Sequence, residues 1–312
     1  MASERFAPAK VNLFLHVGPL EPSGYHPICS LMVFADVGDR LSLSPATRMT
    51  FNVAGPFAVG LDGRSDNLVP RARDRLLASL GRAPTPFALT LDKQLPIAAG
   101  LGGGSADAAA TLNLIAEVAT SSGGGAPDQD RLDAIARELG ADVAACLGSR
   151  PVIAEGWGDR LTPAPEMLAL DAVLANPGAP SLTGAVYRAF DAAQGEALAD
   201  RPELPRAFRS GPALATFLRA CRNDLEGPAA ELQPLIGETL AALRGERETL
   251  VARMSGSGAS CFSLCSSRGD ARRLADRLAA AHPTWWIRAC RLGAPDCFGA
   301  TPSGSPEVFT NP

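Results

Sequence analysis

Histidine and large aromatic side chains are scarce in this chain. Its 312 residues include three histidines, two tyrosines and three tryptophans. The histidines stand at 16, 26 and 282 with no metal-ligand spacing to a cysteine, which argues against a structural zinc site. The seven cysteines contain no Cys-x-x-Cys pair and their number is odd. Free thiols in a reducing cytoplasm are therefore expected, not a disulfide framework. No apolar run reaches the roughly 18 residues that a membrane span needs. Residues 1–10 carry charges and a proline but no apolar stretch, so no secretory signal is read there and the expected location is cytoplasmic. Lys and Arg (29) do not outnumber Asp and Glu (33), and a net charge of −4 lacks the basic footprint of a nucleic-acid binder. An anionic ligand would have to be met by local positive potential.

The remaining composition, 46% hydrophobic and 20% charged, is that of a folded globular protein long enough for two domains. Residues 11–17 alternate in part and predict a strand. Residues 30–43 predict further strand, broken by a Val-Gly-Asp turn at 37–39, and 87–91 predict another. Ala108, Leu112, Ile115 and Ala119 share one helical face and predict a helix over 106–119, with Ser105 as its N-cap and Asp107 in its first turn. Residues 120–128 read as a flexible surface loop and 129–139 as a helix ending at Gly140. Residues 162–166 read as a domain junction and 199–212 as a long loop. A single helix is expected over 225–243, strand–turn–strand over 251–265, and an Arg-rich amphipathic helix over 270–281, with the Arg-rich run at 268–277 as a solvated face. Cys261 and Cys265 share a strand face and read as core thiols, and Trp285 and Trp286 as packing residues. Helices and strands interleave, so the class is α/β or α+β.

The most unusual stretch is Pro96-Ile97-Ala98-Ala99-Gly100-Leu101-Gly102-Gly103-Gly104-Ser105-Ala106, directly before that helix. Glycines let a backbone approach a phosphate closely, and a helix start offers free N–H groups at a positive dipole end. The pattern lacks the lysine of a Walker A loop and the third glycine of a dinucleotide loop. A tight strand–helix turn, with glycines for packing only, is the plainer alternative.

This stretch resembles the phosphate loop of the GHMP kinases, a family that binds ATP without Walker motifs. Three further segments carry the same resemblance: Ala7 to His16 followed by Gly24-Tyr25-His26, Leu139 to Val143, and Met254 to Ser260. Asp66 to Val69, Thr183 with Tyr187, and Asn223 to Glu226 also fit, and the similarity runs from about Phe6 to about Arg291. Together they resemble the members that act on a cytidine diphosphate-linked methylerythritol of the non-mevalonate isoprenoid route. Ala98-Ala99 stand where glycines are common, Ala144 where a proline is common, and Pro27 where an acidic residue is common.

The resemblance implies an α+β, α/β-type two-domain fold. Residues 1–163 form an ATP-binding domain with a left-handed β-α-β unit. Residues 164–298 form a ferredoxin-like domain, and the Gly-, Pro- and Ser-rich tail 299–312 is expected to be disordered. It implies ATP and Mg²⁺ as cofactors, a small-molecule substrate, no nucleic-acid or membrane partner, and a monomer or homodimer. By position alone Asp142 reads as a helix cap and Lys10 as a solvated cation; the resemblance makes Asp142 the general base and Lys10 its partner. It places residues 96–106 on the phosphates and Tyr25 and Tyr187 on the two faces of a cytosine. His26 falls on the base edge, Asn12 and Thr183 on the rest of the substrate, and Asn67 near adenine. Lys93 is left open between a nucleotide contact and a surface lysine, and Ser255 to Gly258 between packing on the phosphate loop, contact with the substrate diphosphate, and a plain strand turn. Three rival readings stand beside this one: a homoserine- or mevalonate-type kinase, a sensor that binds ATP without transfer, against which the Lys10 and Asp142 pair argues, and a generic nucleotide-binding structural protein, against which the Asp142 motif argues.

Overall fold

The computed structural model describes residues 3–59, 61, 66–81, 85–121, 127–193 and 198–293. The predicted tail at 299–312 lies outside these residues, as does most of the predicted loop at 120–128.

Two long antiparallel strands, β1 (Ser3–Val17) and β2 (Ile28–Pro45), form the spine. From Ala7 to Val17 every β1 residue is buried, because both faces of the sheet are covered. The turn predicted at 37–39 does not exist; β2 runs straight through it. Gly38 sits opposite Pro8, at a register shift in β1, where a Cβ would lie 2.2 Å from the Ala7 carbonyl oxygen. The glycine is there for strand contact, not for reversal. Next come β3 (Thr50–Ala54), α1 (Leu68–Ser79) and β4 (Phe87–Asp92), with β3 and β4 parallel and β4 antiparallel to β2.

Three helices follow: α2 (Gly103–Ser121), α3 (Gln129–Leu139) and α4 (Ala141–Gly148). They pack with α1 over one face of the sheet around Phe34, Leu89, Leu112 and Ile135. Helix α2 starts earlier than predicted. Gly102 is left-handed (φ 62°), and its carbonyl accepts the Ala106 N–H at 2.8 Å, so Gly103 opens the helix. Ser105 therefore lies inside the first turn, not at the cap, and Asp107 lies beyond that turn. Helix α3 ends at Gly140 as the sequence predicts. The hairpin of β5 (Val152–Gly156) and β6 (Arg160–Pro163) adds to the Ile28–Met32 end of β2.

The second half contains β7 (Glu166–Met167), β8 (Leu170–Asn176), α5 (Thr183–Ala192), β9 (Ala207–Phe208) and α6 (Gly211–Arg219). It continues with α7 (Glu226–Leu232), α8 (Pro234–Arg244), β10 (Thr249–Met254), β11 (Cys261–Cys265), α9 (Arg268–Ala281) and β12 (Trp286–Gly293). The strand order β10-β11-β8-β12, antiparallel throughout, is the split β-α-β arrangement of a ferredoxin-like sheet. Helix is inserted between β8 and β10, and α9 joins β11 to β12. Two residue pairs, Leu292 with Ala35 and Gly293 with Phe34, join this sheet to β2, giving ten strands in all.

The helix predicted over 225–243 is two helices. Gln233 is extended (φ −135°, ψ 90°), as a residue before proline prefers, and Pro234 then opens α8. The predicted loop at 199–212 contains β9, which pairs with β7. The six described cysteines, Cys261 and Cys265 among them, are buried and free.

Gly38→Ala should lower unfolding free energy by about 1–3 kcal/mol, because its methyl group collides with backbone that can move only by breaking the strand pairing. Urea unfolding against the parent chain measures this. An unchanged midpoint would mean that β1 and β2 are not held this closely at Gly38.

Candidate active site

The segment between β4 and α2 forms the floor of the main cleft. Ala98, Gly100 and Gly102 are all left-handed, with φ of 51°, 71° and 62°. Such alternation turns successive N–H groups toward one side, and the first turn of α2 adds its own free N–H groups. Pro96 to Gly100, Gly102 to Gly104 and Ser105 line a cavity of about 570 Å³. Leu101 and Ala106 do not; both are buried beneath it. A Cβ on Gly104 would meet nothing, so the chain there opens onto the cleft.

The second glycine turn packs on the first. Ser255 Oγ donates to the Gly100 carbonyl at 2.9 Å and accepts the Asn12 N–H at 3.1 Å. The Ser260 N–H donates to the Ala99 carbonyl at 2.9 Å. A Cβ on Gly100 would lie 2.3 Å from the Ser255 carbonyl oxygen. The plain-turn alternative for 255–258 is thereby removed. Asn223 Nδ2 donates to the carbonyls of Met254 and Gly256, both at 2.9 Å, and Glu226 accepts the Met254 N–H. The 223–226 segment is thus a clamp on this turn. Thr183 Oγ1 meets Ser257 Oγ at 2.8 Å.

Lys10 and Asp142 meet beside the loop. The Lys10 N–H donates to the Leu101 carbonyl at 2.8 Å. Its buried Nζ donates to Asn12 Oδ1 at 2.9 Å and lies 3.0 Å from Asp142 Oδ2. Asp142 is the second residue of α4, where the helix dipole favours a carboxylate. Its side chain stays 41% exposed and faces the cleft. The helix cap is Gly140, so Asp142 has no capping role. Asn12 is fixed at both ends, since its Nδ2 donates to Ser30 Oγ at 2.7 Å.

Lys93 is not a surface lysine. It is 4% exposed, and its Nζ donates to Asp39 Oδ2 and, at 2.8 Å, to Asp107 Oδ2. Asp39 Oδ1 accepts the N–H groups of Gln94 (2.6 Å) and Leu95 (2.8 Å), which tethers the approach to the loop. Burial alone would push the Lys93 pKa down, but attraction from Asp107 and Asp39 outweighs it and holds it above its ordinary value. Burial pushes the Asp107 carboxyl up; Lys93 pulls it back and Asp39 adds to the push. Asp107 Oδ1 is buried without a partner, although the residue lines the cleft. Sequence reasoning missed Asp39, because Val-Gly-Asp reads as a turn.

Of the three predicted base-binding residues only Tyr187 lines the cleft, and Tyr25 and His26 lie outside its lining. Tyr187 lines the cleft, and burial, with the charge of Asp142, pushes its hydroxyl pKa up to about 12. His26 lies 5.0 Å from the Tyr187 ring, with Nδ1 2.9 Å from the Gly18 carbonyl and Nε2 3.3 Å from Asp191. Tyr25 is 62% exposed and its ring partner is Trp157, not Tyr187. Asn67 caps α1 by accepting the Val69 N–H at 2.9 Å and also lines the cleft.

Residues 67–150 match the GHMP kinases N terminal domain and residues 203–284 match GHMP kinases C terminal. A protein of Caulobacter vibrioides named 4-diphosphocytidyl-2-C-methyl-D-erythritol kinase is 54% identical over 293 residues, covering 94% of this chain and all of the relative. A solved 4-(cytidine 5'-diphospho)-2C-methyl-D-erythritol kinase is 34% identical with a TM-score of 0.73, covering 94% of this chain and all of that one. A solved homoserine kinase from Cytophaga hutchinsonii has a TM-score of 0.65 at 20% identity, covering 94% and 95% of the two chains. That last likeness is one of fold.

Lys93→Met should leave Asp39 and Asp107 facing each other in the core without a cation. Stripping the partner from a buried charge costs about 3–5 kcal/mol, read by denaturant unfolding at neutral pH. A loss below 1 kcal/mol would show that the three groups are not coupled.

Proposed function

The chain belongs to the GHMP kinase family, and from that premise we propose that it transfers the γ-phosphate of ATP to the 2-hydroxyl of 4-diphosphocytidyl-2-C-methyl-D-erythritol. The observation that carries this reading is the Lys10–Asp142 pair, held 3.0 Å apart beside a glycine-rich loop that opens a helix. A homoserine- or mevalonate-type kinase is not favoured, because the relative at 54% identity bears the cytidyl name.

Phosphoryl transfer asks for in-line positioning and for compensation of charge on the phosphoryl oxygens. N–H groups of residues 98–104 and of the α2 start bind the phosphates, with Asn67 beside the adenine. Asp142 is exposed enough to reach an alcohol and accepts the hydroxyl proton as the nucleophile forms. Lys10, anchored by its own backbone to Leu101, holds that carboxylate and the alcohol in register with the loop. Asn12 holds Lys10 in turn. Ser105 Oγ and the unpartnered Asp107 Oδ1 are hard oxygen donors of the kind Mg²⁺ takes, so the cleft fits that ion. Mg²⁺ bound there with the nucleotide would neutralise phosphate charge.

The cytidine end lies toward Tyr187, His26 and Tyr25. Tyr187 and Tyr25 offer ring faces for stacking. His26 reaches the base edge through Nε2, whose present contact with Asp191 is long, while Nδ1 stays on Gly18. Thr183 borders the substrate beside the 255–258 turn. The division falls near residue 163: residues 1–163 supply the loop, Lys10 and Asp142, and 164–298 supply Tyr187 and the second turn. No helix among the described residues is long and apolar enough to cross a membrane. The reading places the protein in the cytoplasm as a monomer or homodimer.

ADP release with Mg-ATP tests this reading on the cytidyl substrate, mevalonate and homoserine. Turnover is expected on the first alone; a preference for either of the others would overturn the substrate. Asp142→Asn should lower kcat about 10²–10⁴-fold with ATP affinity retained. Tyr187→Ala should raise KM for the cytidyl substrate, since a lost base stack of about 1–3 kcal/mol corresponds to roughly 5–150-fold. An unchanged KM would remove Tyr187 from the binding site.

A further inference from the structure

Trp157 stands at the tip of the β5–β6 hairpin, between two left-handed glycines, Gly156 (φ 67°) and Gly158 (φ 89°). It is 49% exposed, an unusual place for one of only three tryptophans. Its ring lies 5.6 Å from Tyr25 with the planes at 31°, and its Nε1–H donates to Glu21 Oε2 at 3.0 Å. Glu21 and Tyr25 are the two ends of one turn, closed by the Glu21 N–H on the Tyr25 carbonyl and the Gly24 N–H on the Glu21 carbonyl, both at 2.9 Å. Trp157 therefore grips both ends of that turn. The turn has little else to hold it, since residues 22–25 are all exposed.

The other side of the hairpin tip is equally informative. A Cβ on Gly158 would lie 3.3 Å from Ala141 Cβ and 3.6 Å from Ile28 Cδ1. Ala141 opens the helix that carries Asp142, and Ile28 lines the cleft. The tip thus lies between the start of the Asp142 helix and the Tyr25 turn.

We propose that Trp157 is a positioning residue for substrate. It holds Tyr25 as a preformed stacking platform and sets the span between the base-binding end of the site and Asp142. An extended substrate, a nucleoside diphosphate joined to a polyol, must place its base and its reacting hydroxyl at a fixed separation. A stapled platform supplies that separation before binding and lowers the ordering cost of association. The proposal rests on the reading of Tyr25 as a base-stacking residue.

The test is steady-state kinetics on Trp157→Ala, Trp157→Phe, Tyr25→Ala and the double variant Trp157→Ala/Tyr25→Ala, each first shown to be folded by circular dichroism. Trp157→Ala should raise KM for the cytidyl substrate about two- to tenfold, the scale of one aromatic pair, with kcat and KM for ATP unchanged. Trp157→Phe, which keeps an aromatic ring beside Tyr25 but loses the smaller ring of the indole and the bond to Glu21, should recover most of the loss. In the Tyr25→Ala background, Trp157→Ala should add nothing, because the two residues act as one unit. An unchanged KM in Trp157→Ala, beside a raised one in Tyr25→Ala, would overturn the proposal and leave the reading of Tyr25 standing. Equal effects of Trp157→Ala with and without Tyr25 would also overturn it. If neither single variant moves KM, the platform reading falls and the proposal falls with it.

Discussion

The contact between two glycine turns, one ahead of α2 and one between β10 and β11, sets the geometry of everything in the cleft. Gly100 presses so closely on the Ser255 carbonyl that no side chain fits between them. Ser255 bonds at once to the Gly100 carbonyl and to the Asn12 N–H. Lys10, two residues before Asn12, bonds through its own N–H to Leu101. The spine strand, the glycine-rich loop and the carboxy-terminal sheet therefore meet at one knot of backbone. A reaction driven by positioning gains most from such rigidity, since displacements of an ångström at the reacting atoms are costly in rate.

Charge follows the same plan. The chain is acidic overall, yet two buried lysines flank the loop. Lys10 has a half-exposed carboxylate and an amide as partners, so its pair faces the cleft. Lys93 has two buried carboxylates, so its pair faces inward and braces the approach to the loop. Buried ion pairs of this kind add little net stability, because desolvation offsets most of the attraction. Their value here is geometric: Asp39 fixes two N–H groups just before Pro96, and Lys93 fixes Asp39.

Much of this was legible in the sequence, and the failures have physical causes. The glycine loop and its helix stood out because local spacing encodes both. The helix start was placed too late because glycine is a poor helix former in general. Here, however, Gly103 leaves room for the Lys93 ammonium, which a Cβ would approach to 2.9 Å. The false turn at 37–39 arose because a Gly-Asp pair signals a turn locally, whereas the deciding contact is the distant Ala7 carbonyl. The single helix over 225–243 overlooked how strongly Pro234 constrains Gln233. Lys10 and Asp142 lie far apart in sequence, and no spacing rule could pair them; only resemblance did. Trp157 carried no signal at all, because a lone tryptophan between glycines belongs to no pattern until its neighbours in space are known.

The claim at the centre of this account is that the cleft directs phosphate to one hydroxyl, the tertiary one at C2. Phosphorus-31 magnetic resonance of the product formed from Mg-ATP and 4-diphosphocytidyl-2-C-methyl-D-erythritol tests it most directly. The account predicts a new phosphomonoester signal without three-bond coupling to a carbinol proton, because C2 bears a methyl group and no hydrogen. A coupled signal would place the phosphate on a primary or secondary hydroxyl. Inorganic phosphate alone would mean that water had taken the place of the alcohol. Either result would contradict the assignment of Asp142 and Lys10 to the C2 hydroxyl.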